Sequence, residues 1–217
     1  MLKLKLQFFG GRGASSASGK GSGGSSDPDG LPFNRGAEIN PETAVENVNK
    51  HNYNTDRNYR INCQRCVWAY EMQRRGYDVE AKPSFAGDDL PRGGNWMDIS
   101  QNGRGTLTRE YIGAHWGQAN SIKTEVTNAT DVMRGWGEGS RGIVRVAWSG
   151  SNSGHVFNVE YKNGKIIAYD AQNGTKHTSL NAALKGTKRG YTQLVRSDDV
   201  KFNPNEVSKY VKERGKK

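Results

Sequence analysis

Apolar side chains recur at Cys63, Cys66, Val67 and Tyr70, the i, i+3, i+4, i+7 spacing of one helical face. Asn62 stands before them as an N-cap and Gly76 behind them as a stop. The pattern predicts a helix over about 63–75, with Arg74 and Arg75 favourable at its negative end. Tyr77–Val79 then heads into an extended segment that ends near Pro83. Farther along, the period shortens to two. Gly142–Trp148, His155–Tyr161, Lys165–Asp170 and Gly190–Arg196 read as strands, and Asn163-Gly164 between the middle two is a strong hairpin signal. Helical stretches are expected around 108–116 and 129–134. A last helix starts at Asn203-Pro204, with Asn203 as cap, Pro204 at N1 and Glu206 at the capping-box position. Residues 31–61 suggest loop with short helical pieces, and 84–105 a Gly-, Asp- and Asn-rich loop. No internal repeat is evident. One helix followed by antiparallel strands makes an α+β domain.

Composition adds a boundary. The 217 residues are 33% hydrophobic, and mean hydropathy is −0.86. The deficit concentrates in residues 11–30, almost all Gly, Ser, Ala and charge, which bury too little apolar surface to offset ordering entropy. The expected organisation is a disordered basic Gly/Ser-rich tail over 1–35 and one domain over 36–217, with its core at about 55–200. No apolar run approaches the roughly 18–20 residues that span a bilayer. The opening Met1–Gly10 has neither a continuous apolar region nor a small-residue cleavage site, so no standard secretory signal is read in it. The formal charge of +10 favours acidic partners, with much of the excess in the tails, including Lys209, Lys212, Arg214, Lys216 and Lys217. Without zinc-finger spacing or an aromatic–basic RNA motif, nucleic-acid contact is expected only as non-specific binding by the tails. Two cysteines exclude a disulfide scaffold.

The hairpin places chemistry together. With a two-residue turn at Asn163-Gly164, Lys162 opposes Lys165, Phe157 opposes Asp170, and His155 opposes Gln172. Opposed residues share a face, so His155, Asp170 and Gln172 project from one side, with Asp170 diagonal to His155. A carboxylate so placed can fix the tautomer of a catalytic imidazole. Cys63 supplies a candidate nucleophile in the first helical turn, where free N–H groups and the helix dipole favour a thiolate. Cys66 lies nearly a turn deeper on the same apolar face and suits packing. Cysteine at a helix start, then His and Asp on later strands, follows the logic of papain-like enzymes.

The stretches 62–83 (NCQRCVWAYEMQRRGYDVEAKP) and 141–174 (RGIVRVAWSGSNSGHVFNVEYKNGKIIAYDAQNG) resemble the papain-fold toxin family of protein-glutamine deamidases, over about 60–200. The resemblance implies a papain-like cysteine hydrolase fold, with a nucleophile helix packed on an antiparallel sheet. It also implies a Cys–His–Asp triad at Cys63, His155 and Asp170, with Gln172 in the same Asp-x-Gln motif. Papain itself carries Cys-x-x-Cys before Trp-Ala with the second cysteine as nucleophile, so Cys66 stays open as the alternative to Cys63. Cys66, Gln172 and Asn62 are further candidates, catalytic or supporting. The start MLKLKLQFFGGRG is similar to that of tailed-phage head proteins from Gram-positive hosts. It suggests a virion-associated or exported effector acting in a target-cell cytoplasm, with the Gly/Ser segment as tether.

The implied reaction is attack of the Cys63 thiolate on a glutamine carboxamide of a target protein. Backbone N–H groups at the helix start, helped by Asn58 or Asn62, would hold the oxyanion. The same machinery would serve a protease or a transglutaminase. Trp148 and the loop Ser149–Gly154 are expected to line the cleft. No metal or organic cofactor is implied; an immunity protein is a further partner in view. A zinc site would have only Cys63 and Cys66, with His51, His115, His155 and His177 at no finger-like spacing. A thioredoxin-type pair would lack its preceding strand. A reversible Cys63–Cys66 disulfide silencing the enzyme outside a reducing cytosol is a further expectation. The non-catalytic alternative is a phage structural or DNA-contacting protein, whose binding would fall steeply with salt and survive loss of both cysteines.

Overall fold

A computed structural model of the chain describes residues 27, 29–85, 88, 99, 109–112 and 121–215. The N-terminal part of the domain carries α1 (Pro41–Asn47), α2 (Lys50–Tyr53), a 3-10 turn (Arg57–Arg60), α3 (Cys63–Arg74) and β1 (Val79–Ala81). Then come β2 (Arg109–Tyr111), α4 (Ile122–Trp136), β3 (Arg141–Ala147), β4 (Gly154–Lys162), β5 (Lys165–Asp170) and β6 (Thr175–His177). The chain continues through α5 (Leu180–Ala183), β7 (Gln193–Arg196), α6 (Pro204–Val207) and β8 (Val211–Glu213). Six strands form one antiparallel sheet in the order β2-β7-β3-β4-β5-β6, and β1 pairs separately with β8. This is the α+β architecture expected of a papain-like fold.

Helices cover both faces of the sheet. On one side α3 packs over β4, and its cluster includes Trp68, Tyr70, Met72, Val156 and Tyr169. On the other, α4 and α5 close a second cluster around Val144, Phe157, Val159, Ala168 and Leu194. Such covering on both faces explains why Val156–Tyr161 of β4 are buried without a break rather than alternating with solvent.

The α3 helix is more deeply set than its apolar stripe implies. Residues 65–73 are buried without a break, charged and polar ones included, as happens to a helix enclosed on all sides. Each buried charge therefore has a specific partner. Glu71 accepts from Arg75, Arg141 and Ser197. Arg65 forks onto Asp88 and also donates to the Pro83 and Lys209 carbonyls. Arg74 pairs with Glu160 of β4, which also accepts from the Tyr70 hydroxyl. The helix ends in a Schellman pair: the Tyr77 N–H donates to the Met72 carbonyl and the Gly76 N–H to that of Gln73.

The hairpin register holds from Lys162↔Lys165 to Asn158↔Tyr169. Asn163 (φ 52°) and Gly164 (φ 74°) both sit in the left-handed region, as a two-residue turn between right-twisted strands requires. Pairing of β4 with β5 goes no farther. The expected oppositions of Phe157 with Asp170 and of His155 with Gln172 are not part of the ladder, because β5 ends at Asp170 and the chain turns through 171–174 before β6 pairs on the other edge of β5.

Other expectations shift. Residues 109–111 are strand, not helix, and Ile112 after them is in no helix; residues 108 and 113–116, His115 among them, lie outside the described residues, as does most of the 84–105 loop. The helix expected at 129–134 spans Ile122–Trp136, capped by Ser121. Asn203 caps α6 as expected, through the Asn205 N–H, but the helix is a single turn. The packed body also begins before residue 36. Leu31 is buried, Asp27 accepts from the Tyr77 hydroxyl, and Arg35 bridges Tyr77. It runs past 200 as well, since Phe202, Val207, Tyr210 and Val211 are core. Residues 1–26, with the tail resemblance, lie outside the described residues. No helix among the described residues is long and apolar enough to cross a membrane.

Candidate active site

The start of α3 and the ends of β4 and β5 meet in a cleft of about 880 Å3, whose walls include Cys63, His155, Asp170 and Gln172. Cys63 opens α3 and is partly exposed. His155 enters on β4 immediately after Gly154, and that glycine is required there: a Cβ would lie 2.5 Å from the Val146 carbonyl oxygen. The close approach of β4 to β3 therefore fixes the level at which the imidazole leaves the sheet.

The imidazole is held on several sides. Its Nε2 is 2.9 Å from Asp170 Oδ2, and the Cys63 sulfur lies close enough to favour the charged ring as well. With Nε2 on the carboxylate, Nδ1 is the nitrogen left for sulfur. Trp148 stacks on the ring at 6.0 Å and 19° between planes, and Phe157 lies 6.2 Å away on a tilt. Burial disfavours the charged ring, but the hydrogen bonds and charges of Asp170 and Cys63 outweigh it and raise the His155 pKa to about 10.

Asp170 is positioned by its own turn. Its Oδ1 accepts from the Gln172 N–H at 3.1 Å, its Oδ2 accepts from Asn173 Nδ2 at 2.9 Å, and its carbonyl accepts from the Gly174 N–H. This Asx-type turn holds the carboxylate where it makes the diagonal contact with His155 expected from the hairpin. Gln172 shares the cleft, with its side-chain nitrogen 3.5 Å from Asn62 Oδ1.

Asn62 sits at the N-cap of α3 but its side chain makes no capping bond. Its amide nitrogen donates to Asn49 Oδ1 and to the Lys82 carbonyl, both at 2.9 Å. Both N–H donors are thereby committed, so this side chain does not serve an oxyanion. Asn49 in turn donates to the Tyr59 and Gln172 carbonyls. Three buried amides thus tie the start of α3 to the Asp-x-Gln turn.

Cys66 is 1% exposed and donates its thiol to Asn62 Oδ1 at 3.2 Å. Burial first, then the charges of Cys63 and Asp170, push its pKa well above the ordinary thiol value. A thiolate there is strongly disfavoured. The sequence reading missed Asn173 and Asn49. The Asp-x-x-Asn-Gly spelling of the turn carried a signal for Asn173. Nothing local marks Asn49, whose partner Gln172 is 123 positions away. Trp148, Asn152, Ser153 and Gly154 line the cleft as expected. No group of three or more His, Cys, Asp or Glu able to hold a metal occurs among the described residues.

A nucleophile-type helix on an antiparallel sheet, with thiol, imidazole and carboxylate gathered where they meet, defines a papain-like cysteine hydrolase. Comparison with known families narrows the class. The chain belongs to the papain fold toxin 1, glutamine deamidase family, which matches residues 61–175, from just before Cys63 to just past Asn173. Comparison with curated proteins and with solved structures gives no match.

Proposed function

We propose that this enzyme deamidates glutamine side chains of a target protein through a triad of Cys63, His155 and Asp170. The observation that carries the reading is the gathering of Cys63, His155 and Asp170 in one cleft, with His155 Nε2 2.9 Å from Asp170 Oδ2. His155 takes the thiol proton, and the thiolate attacks the carboxamide carbon. The carbonyl electrons move to oxygen, where the unpaired backbone N–H groups of the first α3 turn stabilise the charge. The C–N bond breaks as His155 returns its proton to nitrogen, ammonia leaves, and a thioester remains. His155 then removes a proton from water, whose oxygen attacks the thioester carbon. The C–S bond breaks and glutamate is left. Asp170 orients His155 and stabilises its charged form.

Cys63 is chosen over Cys66 because Cys63 faces the cleft and the imidazole, while Cys66 is enclosed and bonded to Asn62. Asn62 and Gln172 act as positioning residues. As a toxin-family enzyme with two free thiols, the protein suits delivery from a virion or by export into a reducing target-cell cytoplasm, with an immunity protein guarding the producer. The test is ammonia release and amide-to-acid mass gain on glutamine-containing proteins. Loss of both in Cys63→Ala supports the reading. Peptide-bond cleavage without ammonia release would replace deamidation by proteolysis.

A further inference from the structure

The cleft has a charge pattern that the proposed chemistry does not use. Arg60, Arg145 and Lys185 stand on its walls, and all three are exposed. They come from separate elements: the 3-10 turn, the middle of β3, and the segment after α5. None of them pairs with a carboxylate among the described residues. Arg60 donates to the Tyr53 carbonyl and lies over the Tyr53 ring, while Arg145 reaches only Gln193 at 3.5 Å. Among the described residues, the cleft's one carboxylate is Asp170, already engaged by His155, Asn173 and the Gln172 N–H.

Several arginines elsewhere are paired. Arg65, Arg74, Arg75, Arg141, Arg189 and Arg214 each meet an Asp or Glu. Among the described residues the positive charge on the cleft has no carboxylate partner of its own, and a cleft with low-dielectric walls concentrates such a field. Cations ringing a nucleophile without partners are matched by negative charge on what enters.

We propose that the cleft selects glutamines lying in acidic segments of the target protein, with Arg60, Arg145 and Lys185 reading Asp or Glu on either side of the reacting side chain. This deepens the deamidase reading and rests on it. A nucleic-acid strand would meet the same charges, but a carboxamide-directed thiol on the cleft floor favours a polypeptide.

The experiment uses full-length Cys63→Ala protein, which cannot turn over, and fluorescein-labelled peptides carrying one Gln flanked by Glu or by Ser. Anisotropy at low salt is expected to give about tenfold tighter binding of the Glu peptide, a gap that closes at high salt. Arg145→Gln with Lys185→Gln is expected to remove the gap, while Lys123→Gln with Lys201→Gln, an equal charge change away from the cleft, is expected to keep it. Equal affinity for the two peptides overturns the proposal, as does loss of the gap in the remote pair. Full displacement of the Glu peptide by an equimolar single-stranded oligonucleotide overturns it in favour of nucleic acid. Ammonia release by the wild-type enzyme on the same peptides is read separately. Acidic preference without release would sink deamidation and leave the binding selectivity standing.

Discussion

His155 is charged more readily than an ordinary histidine because an oriented carboxylate and a sulfur both face it, overriding the cost of burial. Replacing Asp170 by Asn keeps the size of the side chain but removes the charge and changes what the imidazole can donate. We expect the His155 pKa to drop from about 10 toward its ordinary value, and deamidation to slow by about 10²–10⁴-fold. An NMR titration of the imidazole in Asp170→Asn that still ends near the wild-type value would remove Asp170 from the mechanism. For the cysteines, limiting iodoacetamide near pH 6.5 should label Cys63 and spare Cys66, and His155→Ala should slow the labelling. Cys63→Ala should lose ammonia release with its melting temperature little changed. Cys66→Ala should keep activity while losing about 1–2 kcal/mol of stability, since it empties buried volume. Preferential labelling of Cys66 would move the nucleophile by one turn. At this scale the triad candidates were legible from spacing and alternation, because a helix start and a two-residue hairpin turn each have few geometries. Asn173 and Asn49 were not, since an amide's role depends on which carbonyl or carboxylate happens to face it.

Glu71 is the residue on which α3 depends. It is fully buried, and burial by itself would raise its pKa; the hydrogen bonds and charges of Arg141, then of Arg75, outweigh this and hold it below the ordinary glutamate value. The pair is costly to break rather than generous when made: removing one partner strands the others. Glu71→Gln should destabilise the fold by about 3–5 kcal/mol, read from chemical denaturation. A loss below about 1 kcal/mol would mean that water or a neighbour satisfies both arginines. The periodicity of 63–75 announced this helix correctly but understated its surroundings. Hydrophobic spacing reports which face is apolar, and it cannot report that a charged face will be covered by β4, β8 and the chain after β7. The hairpin likewise follows from Asn163-Gly164, whereas its pairing with β6, a strand of three residues with no pattern of its own, did not.

For the whole molecule these two sites set opposite arms of a pH profile. Glu71, with its lowered pKa, contributes stability that is complete above the ordinary glutamate range near 4.5 and is lost as pH falls through its folded value. His155, with its raised pKa, contributes stability that is complete below about 6.5 and is lost as pH rises toward about 10. Unfolding free energy should therefore decline from near neutral toward pH 10, and His155→Gln should flatten that alkaline arm. An unchanged alkaline slope in His155→Gln would assign it to other groups. Sequence alone determined the α+β class, the nucleophile helix, the hairpin and the three residues offered for chemistry, because helix periodicity, strand alternation and turn residues act over a few positions. Tertiary structure decided the rest. It turned Asn62 from a cap into a tie, closed Cys66 away while leaving Cys63 open, and extended the body to Asp27 and Val211. It also brought Arg60, Arg145 and Lys185 to one cleft. Those outcomes depend on residues far apart in sequence competing for the same buried hydrogen bonds and the same scarce carboxylates, and only the folded chain settles which of them meet.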